Sequence, residues 1–110
     1  MAEKLLLVLS TFSNAEDARR IGRTLIEERL AACVNLLPPV ESIYRWKGEV
    51  ETASEVVAMI KTTEDSYWLF ESRLKELHPY EVPEIIAFRA SSGLPAYLRW
   101  VDESCLPMRA

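Results

Sequence analysis

The chain has 110 residues, of which 49% are hydrophobic and 27% charged, a balance that fits one globular domain and excludes a disordered chain. Its net charge is −4 and its arginines are scattered, so it offers no basic patch to nucleic acid. No apolar run approaches the ~20 residues that a membrane helix needs.

Met1–Lys4 leads straight into "LLLVL", too short for a signal-peptide core. With Cys33 and Cys105 far apart and no C-x-x-C, the expectation is a cytoplasmic protein with free thiols. "KLLLVLSTF" (residues 4–12) reads as a buried strand. "SNAE" follows, with Ser13 as N-cap and Glu16 reaching back, and opens a helix expected to end near Leu30 or Ala31. Ala18, Ile21, Gly22, Leu25 and Ile26 form its apolar face.

Residues 32–63 read as two strands joined at Lys47-Gly48, with Pro38-Pro39 at a bulge or edge. Ser42, Tyr44 and Trp46 share one face of the first arm, Ile43 and Arg45 the other. A second helix covers residues 62–78, capped by Thr62 with Asp65 or by Thr63. Its inward stripe is Tyr67, Phe70, Leu74 and Leu77, and Pro79 stops it. "EIIAFRA" (84–90) is a further strand, 91–94 a turn, and 95–104 a short helix with Pro95 in its first turn. The order is β-α-β-β-α-β plus a terminal helix, an α+β, ferredoxin-like arrangement with a long central hairpin.

"LLLVL", "EVVAMI" and "EIIAF" are apolar on consecutive positions, as if both sheet faces were buried. A ferredoxin-like crossover puts both long helices on one face and leaves the other bare. Hairpin arms of about 14 residues would reach roughly 46 Å at ~3.3 Å per residue, against roughly 27 Å for the first helix. Bare face and overhanging arms point to self-association, with Tyr44, Trp46 and Trp100 as interface anchors; the alternative is that Tyr44, Trp46, Tyr97 and Trp100 line a ligand cleft.

Five blocks resemble the CutA divalent-cation-tolerance family: "ERLAACVN" (28–35), "SIYRWKGEVE" (42–51), "EVVAMIKTT" (55–63), "LHPYEVPEI" (77–85) and "PAYLRWVDES" (95–104). The resemblance implies that residues 1–110 form one such domain and assemble as a homotrimer that binds divalent cations, copper among them. Charge balance and short apolar runs lead to the expectation of no nucleic-acid or membrane partner, the lack of a nucleophile elbow, phosphate loop or zinc motif to that of no catalysis, and no cofactor is expected to be needed for folding. The architecture is also similar to PII signalling proteins. That suggests a sensor binding a small ligand between subunits as an alternative, with a trimeric scaffold as a third reading. Some relatives have a cysteine before the threonine that ends the first strand, and a histidine pair before Pro-Tyr. Here those positions hold Ser10 and Leu77-His78.

His78, the lone histidine, is therefore the one candidate metal ligand of that set, for a weak copper site completed by carboxylates. A helix C-terminal role, with the ring bonding last-turn carbonyls, is the plainer reading. Lys61, His78, Tyr80, Glu81 and Glu84 are candidates for an inter-subunit cleft, with Glu81 and Glu84 pairing across the boundary as the structural alternative. Cys33 reads as a small buried hydrophobe, or else as a soft-metal or oxidisable thiol.

Overall fold

A computed structural model describes residues 4–107. Among them are β1 (Leu5–Phe12), α1 (Ala15–Glu27), β2 (Cys33–Leu36), β3 (Val40–Trp46), β4 (Glu49–Thr63), α2 (Glu64–Leu77), β5 (Ile86–Arg89) and α3 (Pro95–Ser104). The antiparallel sheet runs β2-β4-β1-β5, and β3 pairs with β4 alone. The fold is α+β with the ferredoxin-like order.

The expected two strands of residues 32–63 are three. Pro38-Pro39 divides the first arm into β2 and β3, because proline has no N–H to give the ladder. β1 ends where Phe12 faces Val56, so the outer part of β4 pairs only with β3. That part projects and gives the molecule a long axis of 49 Å. Lys47 and Gly48 both have positive φ (50° and 84°), the conformation of a tight hairpin turn that follows the strand twist.

Pleat alternation sorts the sheet into two faces. Val8, Phe12, Val56, Ala58 and Ile60 point at α1 and α2 and build the main core with Ile21, Leu25, Phe70 and Leu74. Gly22 lets α1 approach β2, since a Cβ there would sit 3.2 Å from Val34 Cγ1. Leu7, Leu9, Met59, Lys61, Ile86 and Phe88 share the other face by register. α3 covers only one end of that face, packing Leu98 and Val101 on Leu5. Ile86 and Phe88 stay about half exposed, so the apolar run "EIIAF" is buried on one side only.

The α1 cap differs from expectation by one residue, and of the two caps expected for α2 the second is the one used. Asn14, not Ser13, caps α1 and accepts from the Asp17 N–H at 2.7 Å. The helix stops at Glu27 because Arg29 turns left-handed (φ 60°), and the Leu30 N–H returns to the Leu25 carbonyl. Thr63 caps α2 through the Ser66 N–H. Thr62 faces the core, and its hydroxyl donates to the Leu30 carbonyl at 2.6 Å.

Candidate functional site

Pro79 pushes His78 out of the helical region (φ −73°, ψ 132°), and the chain swings the imidazole under the end of β1. The ring is 6% exposed and stacks on Phe12, centroids 4.5 Å apart. Its Nδ1 accepts from the Tyr80 N–H at 3.2 Å, so Nδ1 carries no proton. Nε2–H then donates to the Thr11 carbonyl at 2.8 Å. Burial pushes the His78 pKa down, and the Thr11 carbonyl with the Asp17 and Glu55 carboxylates pulls it partly back.

This geometry answers the sequence readings of His78. The ring bonds a strand carbonyl 67 positions away rather than the last turn of its own helix. Neither nitrogen keeps a free lone pair for a metal, because one is protonated and the other is held by Tyr80. Among the described residues, no group of three or more His, Cys, Asp or Glu is placed to hold a metal ion.

The Tyr80 hydroxyl donates to Glu55 Oε2 at 2.6 Å. Burial, then the bond to Glu55, raises the phenol pKa far above its ordinary value. Above this pair lies a cleft of about 700 Å³ between the hairpin and the loop that follows α2. Tyr44 and Trp46 line it from β3, Glu55 from β4, and Tyr80, Glu81 and Glu84 from the loop. Lys47 Nζ lies 3.9 Å from Glu81 Oε1 and 5.6 Å from the centroid of the Trp46 ring.

Of the proposed cleft residues, Tyr80, Glu81 and Glu84 come together, joined by Tyr44 and Trp46. His78 braces the floor from behind. Lys61 stands elsewhere, six residues along β4 from Glu55 and so roughly 20 Å away. Its ammonium bonds Asn35 Oδ1 and comes within 4.0 Å of Cys33 Sγ on the open sheet face. Cys33 is half-buried and Cys105 buried, and both are free. Trp100 packs near Tyr97 on α3 and does not line the cleft. Glu55 and Lys47 were not singled out from sequence. The available signals were a carboxylate at the edge of an apolar run, and a cation at a turn beside tryptophan.

The family model described as "CutA1 divalent ion tolerance protein" matches residues 6–104. The divalent-cation tolerance protein CutA of Thermus thermophilus is 47% identical over 98 residues, covering 89% of this chain and 95% of that protein. A solved structure of the T. thermophilus divalent cation tolerance protein superposes with a TM-score of 0.89 at 46% identity, covering 92% of this chain and 98% of that one. Mouse protein CutA is 46% identical over 93 residues, 84% of this chain, which spans only 52% of the mouse protein. With a matching family model over nearly the whole described chain and a shared fold at this level of identity, the chain belongs to the CutA family of divalent-cation tolerance proteins.

Proposed function

We propose that the chain serves divalent-cation tolerance as a cytoplasmic homotrimer that binds divalent cations, copper among them, weakly. The observation that carries the assembly is the open sheet face, where Leu7, Leu9, Met59, Ile86 and Phe88 share one side of three neighbouring strands. An apolar face of that extent calls for a cover, and further copies of the chain are the economical one. Weak copper binding follows from the donors left. With the His78 nitrogens engaged, only separate carboxylates such as Glu81 and Glu84 remain in the cleft, not gathered into a three-ligand group, and their hard oxygens suit copper less than nitrogen and sulfur.

The test is calorimetric titration of the purified protein with copper and zinc, beside light scattering. Three times the chain mass and shallow binding weakened by Glu84→Gln are expected. A folded monomer would sink the assembly. Tight copper binding abolished by His78→Ala, in a variant that stays folded, would restore the imidazole as a ligand.

A second reading is a sensor module that binds a small ligand. It is favoured by the cleft itself, which is concave, walled by aromatic rings and set with a few polar groups. Titration with small organic probes separates it from the first reading.

A further inference from the structure

We propose that the cleft between the β3–β4 hairpin and the loop after α2 is a receptor for an organic cation, an ammonium or guanidinium carried on an apolar body. This rests on reading that cleft as a ligand site and names the class of ligand. The volume of about 700 Å³ suits a small molecule. Charge decides the sign. Glu55, Glu81 and Glu84 all line the cleft, and among the described residues that line it there is no lysine, arginine or histidine. A phosphate or carboxylate ligand would enter against three like charges, whereas a cation is drawn in.

The walls decide the body. Tyr44, Trp46 and Tyr80 present aromatic rings, whose negative faces attract cations and whose area covers apolar groups. The Tyr80 hydroxyl spends its proton on Glu55, which leaves this ring with no donor for an anion and fixes the carboxylate.

The molecule already displays this recognition at the rim of the cleft. Lys47 sets its own ammonium near both the Trp46 ring and the Glu81 carboxylate. Both Lys47 and Glu81 side chains are about 70% exposed, so the contact is weak and a ligand ammonium can take its place. Removing Lys47 should therefore improve binding, an outcome that damage to the fold would not produce.

Calorimetric titration of the purified assembly tests this with four probes: phenethylammonium, 2-phenylethanol, 3-phenylpropionate and methylammonium. Phenethylammonium should bind, and the other three should bind at least about tenfold more weakly, since each lacks the charge, its sign or the body. Glu84→Gln should weaken phenethylammonium by about tenfold. Lys47→Asn, which suits the positive φ of the turn, should strengthen it by about threefold. Equal or tighter binding of the alcohol or the carboxylate would overturn the cation class while leaving the cleft as a ligand site. Loss of affinity in Lys47→Asn would overturn the role given to the Trp46 and Glu81 pair. Absence of binding by every probe would overturn both the class and the cleft reading.

Discussion

His78 lies parallel to Phe12, the two rings inclined by 13°, and the imidazole hydrogen-bonds on both edges. A histidine so placed acts as a strut between the end of β1 and the loop after α2. His78→Ala removes a buried ring and orphans the Thr11 carbonyl as an acceptor. It should cost about 2–4 kcal/mol in urea unfolding. His78→Gln, which keeps a donor and an acceptor, should recover part of that loss.

The same strut makes stability pH-dependent. In the unfolded chain His78 titrates near ~6.5. In the fold its pKa lies lower, chiefly because burial disfavours the charged ring. Between those two values the unfolded chain holds more protons, so stability rises with pH across that interval. The contribution is complete above pH ~6.5 and is lost as pH falls from there through the folded value. Urea midpoints measured from pH 8 to 5 should show the decline, and His78→Gln should flatten it.

At alkaline pH the responsible group is Tyr80. Its folded pKa is raised by burial and by Glu55, so the folded chain keeps the phenol proton after the unfolded chain has lost it. Stability should be unaffected below pH ~10 and fall above it. Tyr80→Phe should destabilise the protein by about 1 kcal/mol at neutral pH and make the alkaline decline shallower.

Thr62 and Thr63 are adjacent and do different work. Thr63→Ala removes a helix cap and should cost about 1 kcal/mol. Thr62→Val keeps the shape but leaves the buried Leu30 carbonyl without its donor, for about 1–3 kcal/mol. Thermal denaturation of the two single variants and the double variant would show additivity within a few tenths of a kcal/mol only if the sites are independent.

Assembly is checked on the open face. Phe88→Asp places a charge in the middle of the proposed contact surface and should lower the mass measured by light scattering, whereas Arg20→Ala should not. In the parent protein a melting temperature that rises with concentration, under reversible conditions, would show that folding and association are linked.

Continuous apolar runs, helical periodicity and the prolines make most of this fold legible in advance, although the runs do not say which of their faces stays bare. Val56, Ala58 and Ile60 alternate with Val57 and Met59, and residues 95–104 form α3 as their pattern and Pro95 predict. The caps were ambiguous because neighbouring residues carry equivalent oxygens: Ser13 and Asn14, Thr62 and Thr63. Backbone direction, which no local pattern records, chose between them. The cleft was half legible. Tyr80, Glu81 and Glu84 are neighbours in the chain, so one loop brings them together. Glu55 joins them only because β4 runs on past the end of β1. Lys61 lies six residues along β4 from Glu55, so within one chain it does not reach the cleft.

The turn at Lys47-Gly48 also sets an order of events. β3 and β4 pair across two residues, so their contacts are local and close on the microsecond scale of hairpins. β1 must instead find β4 across the whole of α1 and the hairpin, with Leu5 facing Thr63. Closing that long loop should be slower than closing the hairpin. A hairpin that zips first hands β1 a preformed edge along Val56–Thr63, and the rest of the sheet condenses on a template. Substitutions at the turn should then slow folding and leave unfolding nearly unchanged, whereas those on α3 should chiefly speed unfolding.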